Sequence, residues 1–101
     1  MESEEYLKLA AQSALCMHVV PCLRAVTASL NDHHITWRCI FDESATEDDI
    51  DLLSQAATEL IADYNTARFT FEEKYEVIAF PEEMNLERHI VYYRHEHNYF
   101  E

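Results

Sequence analysis

Residues 37 to 50 read Trp37-Arg38-Cys39-Ile40-Phe41-Asp42-Glu43-Ser44-Ala45-Thr46-Glu47-Asp48-Asp49-Ile50, an apolar strand that passes through an acidic turn straight into a helix. Ile35, Trp37, Cys39 and Phe41 alternate with Thr36, Arg38, Ile40 and Asp42, the period of two expected of a strand buried mainly on one face. Thr46 is placed to cap the helix, its hydroxyl accepting from the amide of Asp49. Glu47, Asp48 and Asp49 then fall in the first turn, where the positive end of the helix dipole favours carboxylates. With Asp42, Glu43 and Asp51 nearby, the segment holds more negative charge than capping requires.

Reading back towards the N-terminus, the order becomes helix, strand, strand. Ser3 can cap a first helix whose apolar members Leu7, Ala10, Ala11, Ala14, Leu15 and Val19 follow helical spacing, and Pro21 ends it because the residue before a proline is pushed out of the α region. Cys22 to Leu30 reads as a strand with neither side cleanly polar. Asn31-Asp32-His33-His34 is a turn from which the strand ending at Phe41 returns antiparallel.

Reading forward, Ile50, Leu53, Ala57, Leu60, Ile61 and Tyr64 form one apolar stripe of a second helix from Glu47 to Tyr64. A third strand falls within Phe69 to Phe80 and stops at Pro81. A fourth, about Arg88 to His95, is rich in β-formers at Ile90, Val91, Tyr92 and Tyr93. The expectation is an α+β fold of αββαββ order, two helix-hairpin units in succession. Their strands would form one mainly antiparallel four-stranded sheet, with two helices packed on one face and the other face available to solvent or a partner.

Composition narrows the function. The 101 residues predict a single domain over 1–101, with a sizeable core and no need of disulfides or metal. Twenty acidic against seven basic side chains give a formal charge of −13, which opposes nucleic acid and anionic membranes and favours a basic protein partner. Three cysteines, an odd number, and the acidic start Glu2-Ser3-Glu4-Glu5 in place of a basic leader point to reduced thiols in a soluble cytoplasmic protein. There is no glycine, so the phosphate-cradling loops and dinucleotide turns that need it are absent; Asn31, Asp32, Asn65, Asn85 and Asn98 are left to serve the turns.

The chemical constellations are weak. Paired carboxylates do acid/base work only when burial or a neighbour moves one pKa towards neutrality, and a run in an exposed turn does not suggest that. No CxxC or HExxH spacing occurs; His95 and His97, on one strand face if the strand continues, are the one pair that could begin a metal site. Cys39 belongs on the buried side of its strand, where thiols are inert, and no nucleophile elbow is present. No catalytic residue, cofactor or metal is therefore assigned. The candidates are for binding: Asp42, Glu43, Glu47, Asp48, Asp49 and Asp51, a second acidic block of Glu72, Glu73, Glu76, Glu82 and Glu83, and Tyr92. Alternation puts Tyr92 and Tyr93 on opposite faces, so one of them stands away from the helices, as interface anchors do.

The sequence resembles immunity proteins of bacterial polymorphic toxin systems, in particular those paired with contact-dependent growth inhibition toxins. The resemblance is carried by Trp37-Arg38-Cys39-Ile40-Phe41-Asp42, Thr46-Glu47-Asp48-Asp49, Tyr75-Glu76-Val77-Ile78, Pro81-Glu82-Glu83 and Val91-Tyr92-Tyr93-Arg94-His95-Glu96. It implies a non-enzymatic cytoplasmic inhibitor, monomer or homodimer when free, that binds the C-terminal domain of a cognate toxin, usually a basic nuclease. The rival readings are a nucleic-acid-mimicking inhibitor of another host or phage enzyme, and a small metal-dependent enzyme using His95 and His97.

Overall fold

The structure is a computed structural model, and it describes residues 4–62, 64, 67–86 and 89–94. The elements are α1 (Glu4–Leu15), β1 (Leu23–Asn31), β2 (His34–Phe41), α2 (Glu47–Ile61), β3 (Thr70–Val77) and β4 (Ile90–Tyr93), the expected αββαββ order. The cap expected at Ser3 lies outside the described residues. Val19, assigned to the first helical stripe, falls beyond the end of α1 and is exposed. α2 stops at Ile61, a turn earlier than its apolar stripe suggests, with Tyr64 still packed against the core.

All four strands join one sheet in the order β3-β2-β1-β4. β1 pairs antiparallel with β2 and with β4, whereas β3 lies parallel to β2, in register from His34 opposite Thr70 to Phe41 opposite Val77. The sheet is therefore mixed, and mostly antiparallel. The expected second hairpin does not form, because β3 and β4 occupy opposite edges. A parallel neighbour cannot be reached through a tight turn, so α2 serves as the crossover between β2 and β3.

Both helices cover the same face. Leu7, Ala11, Ala14 and Leu15 of α1 and Leu53, Ala56, Ala57 and Leu60 of α2 close over Val26, Ala28, Ile35, Trp37, Cys39 and Phe41. Small alanines at the helix contact let the larger strand side chains fill the space between the layers, and each large side chain so buried contributes about 1.5–3 kcal/mol. A register shift between Leu23 and Ala25 marks a β-bulge in β1. It turns Leu23 towards the helices together with Val26, and aims Arg24 at the opposite face.

That opposite face is only partly open. The connection from β3 to β4 has to travel from one edge of the sheet to the other, and residues 78–86 run across the face away from the helices. Arg24, 2% exposed, holds this strap: its guanidinium donates to the carbonyls of Ile78 (2.8 Å), Ala79 (3.3 Å) and Glu82 (2.9 Å). Arg38 adds a bond to the carbonyl of Asn85 at 2.9 Å, and the amide of Ala28 donates to the carbonyl of His89 at 3.2 Å. Under the strap Ala25 and Ile40 are fully buried. The ring of Phe80 lies within cation-π range of the guanidinium groups of Arg24 and Arg94, at 5.6 and 5.9 Å.

Turn chemistry also departs from expectation. Positive φ occurs at Asp32 (60°), as anticipated, but also at Met17 (71°) and His89 (68°), and not at Asn31 or Asn85. Asn65 and Asn98 lie outside the described residues.

Replacing Arg24 by methionine keeps the apolar stem but leaves three strap carbonyls without their donor. The expected loss is on the order of 3 kcal/mol in a urea titration, with Arg24→Lys recovering only part of it because an ammonium cannot span the three acceptors.

Candidate acidic interface

The acidic turn after β2 is built largely by its own hydrogen bonds. Asp42 Oδ1 accepts from the amide and hydroxyl of Ser44 (2.9 and 2.6 Å), and Oδ2 accepts from Arg94 Nη1 at 2.8 Å. Arg94 also donates to the carbonyl of Pro21 at 2.7 Å, so this ion pair ties β4 to the entry of β1. Partial burial of Asp42 opposes its charge, but the bonds from Ser44 and Arg94 outweigh it and hold the carboxyl below its ordinary range.

The start of α2 is a complete capping box. Thr46, extended at φ −119°, accepts from the amide of Asp49 while Asp49 Oδ2 accepts from the amide of Thr46 at 3.0 Å. The same oxygen accepts from the thiol of Cys22 at 3.3 Å. The Thr46 amide and the Cys22 thiol lower the Asp49 pKa. Cys22 responds in the opposite sense: burial, then the Asp49 carboxylate, push its thiol up to about 11. Burial first, and then the nearby Glu73 charge, raise Cys39 as well, so both buried thiols stay protonated at neutral pH.

The candidate carboxylates thus fall into two groups. Asp42, Glu43, Asp49, Glu73 and Glu76 accept bonds that hold the fold. Glu43 takes the amide of Phe80 at 3.0 Å and so pins the strap to the acidic turn. Glu73 lies on the helix side, accepting from Ser54 of α2 at 3.0 Å and from Tyr75 at 2.6 Å. Glu76 takes two bonds from Arg38, both 3.0 Å, across the parallel pair. The second group faces water: Glu47, Asp48 and Asp51 along the first turns of α2, and Glu82 and Glu83 on the strap. Glu72 is also exposed, shared between His34 (3.2 Å) and Lys74 (3.9 Å).

The fold brings together part of what the sequence kept apart. Because Glu43 binds Phe80, the strap residues Glu82 and Glu83 belong to the same end of the sheet as the 42–51 turn and the start of α2. Glu72 instead stands beside His34, by the β1–β2 turn at the other end. Tyr92 is the inner of the two tyrosines, half-buried against the core; Tyr93 is the one on the far face, 56% exposed.

Two arginines and an apolar groove leave no signal of their roles in the sequence. Arg24 and Arg94 organise the acidic end, and nothing in their spacing distinguishes them from surface cations. The His95 and His97 pair lies outside the described residues, and among the described residues no three His, Cys, Asp or Glu side chains converge as a metal-ligand set. No helix among them is long and apolar enough to cross a membrane.

A family model described as MafI2 immunity protein matches residues 4–96. No curated protein matches the chain.

Asp42 and Asp49 have depressed folded-state pKa values, so their stabilisation is present above the unfolded value of about 3.9 and is lost as pH falls through the folded values. Thermal melts should therefore drop in midpoint as pH is lowered below about 4, and the double variant Asp42→Asn/Asp49→Asn should be less stable at pH 7 with a flatter acid limb.

Proposed function

The chain belongs to the MafI2 immunity protein family, so its role is to neutralise a polymorphic toxin, and from that premise we propose that it captures the C-terminal domain of its cognate toxin, a basic nuclease, in the cytoplasm. The surface we assign is the acidic end of the sheet: Glu47, Asp48 and Asp51 on α2 and Glu82 and Glu83 on the strap, supported by Asp42, Glu43 and Asp49 behind them. Glu72, Glu73 and Glu76 extend the negative field along β3, and Tyr92 contributes from the inner face of β4. The toxin would be one of the contact-dependent growth inhibition kind.

One observation carries this reading: carboxylates that no internal bond consumes are gathered, by the Glu43–Phe80 bond, beside carboxylates that the fold holds ionised. Such an array can occupy the sites at which a nuclease binds phosphates, and the net charge of −13 draws a basic domain in at long range. Inhibition is then stoichiometric and involves no chemistry by this chain.

Co-expression with the toxin domain encoded immediately upstream should restore growth, and the two chains should co-purify as a complex that weakens between low and high salt. Glu47→Lys/Asp48→Lys should slow association by about tenfold and flatten the salt dependence, with the melting temperature recorded alongside to separate lost contact from a loosened helix start. Unchanged affinity would remove this surface from the interface. A partner that is not the neighbouring toxin would favour the nucleic-acid-mimicking inhibitor.

A further inference from the structure

An open groove of about 290 Å³ lies between the C-terminal end of α1 and β4, walled by Gln12, Cys16, Met17, Val19, Val91 and Tyr92. None of these side chains carries a charge, on a chain of formal charge −13. Met17 is 91% exposed, and Val19 is exposed too. Leu9, also exposed, extends the same stripe of α1, three residues before Gln12 and seven before Cys16.

Met17 is held in an unusual way. Its φ of 71° lies in the left-handed region, which a residue other than glycine, asparagine or aspartate enters mainly when its surroundings impose it. Here the His18 amide donates to the carbonyl of Leu15 at 2.8 Å. The His18 ring lies between the carbonyl of Cys16 (3.0 Å) and Glu59 of α2 (3.3 Å). The result is an adaptable apolar side chain fixed in water at the lip of an apolar groove.

The chain that walls the groove leads on to the acidic end. The segment after Val19 reaches Pro21, whose carbonyl takes the bond from Arg94, and Arg94 is paired with Asp42. Cys22 follows, bonded to Asp49. Charge selects the occupant: a second copy would bring two chains of −13 together, whereas a basic domain already drawn to the acidic end bears no such repulsion. Building on the toxin-capture reading above, we infer that this groove receives an aliphatic or aromatic side chain of the cognate toxin domain, an apolar anchor beside the electrostatic contact.

The test is isothermal titration of the full chain with an inactivated form of the neighbouring toxin domain. Met17→Asn suits the left-handed backbone, so the melting temperature should hold or rise while affinity falls about tenfold, the loss typical of truncating an interface anchor. Val19→Glu is the sharper variant, because it adds negative charge. Purely electrostatic capture leaves its affinity equal or higher, whereas apolar docking lowers it about tenfold, at high salt as well as low.

No complex with the wild-type chain would overturn both the capture reading and the groove. A wild-type complex that both variants leave untouched would overturn the groove alone. A wild-type dimer in sedimentation, abolished by Val19→Glu, would assign the groove to a second copy and overturn the inference.

Discussion

The parallel placement of β3 beside β2 is the constraint from which most of the structure follows. With α2 as the crossover, β3 is left at one edge, and the chain must return across the sheet to place β4 at the other. A polar backbone laid over a sheet face needs acceptors and donors beneath it. Arg24 supplies the donors, and the β-bulge in β1 is what aims its guanidinium away from the helices and under the strap. Arg38 does the same for the later part of the strap while closing two bonds to Glu76. The face expected to lie open is thereby partly closed, and the carboxylates of the strap are delivered to the end of the sheet where α2 begins.

The large negative charge is less uniform than its total suggests. Some carboxylates are structural acceptors for a capping box, a turn, an ion pair and the strap. Others project from helix and strap into solvent with nothing internal to bind. Self-repulsion among the second kind opposes folding, and the bonded carboxylates lessen it locally by pairing with Arg38 and Arg94. On the β3 edge, where exposed backbone could pair with another strand, Glu72, Lys74 and Glu76 place charge that discourages such addition.

On the proposed reading, the acidic end and the apolar groove would form one surface with two kinds of contact. Long-range charge speeds and orients the encounter, and a desolvated apolar anchor slows departure. The Arg94 side chain, bonded at once to Pro21 and Asp42, is the seam between the two regions.

Local pattern by itself determined the elements. Alternation from Ile35 to Phe41, the stripe from Ile50 to Leu60 and the Thr46 cap all depend on neighbours in sequence, and each forms as its spacing requires. The acidic character of residues 42 to 51 was legible for the same reason, and so was the resemblance to toxin immunity proteins. Tertiary structure decided which strands are neighbours. A strand's sequence records that one face is buried but not which edge it will meet, so β3 and β4 read as a hairpin although they stand at opposite edges. It also decided the division of labour among the carboxylates, since Glu73 and Glu83 look alike until α2 and Tyr75 are brought against one of them. Met17 and Arg24 owe their roles to partners far along the chain or to a backbone angle, and neither leaves a mark in local spacing.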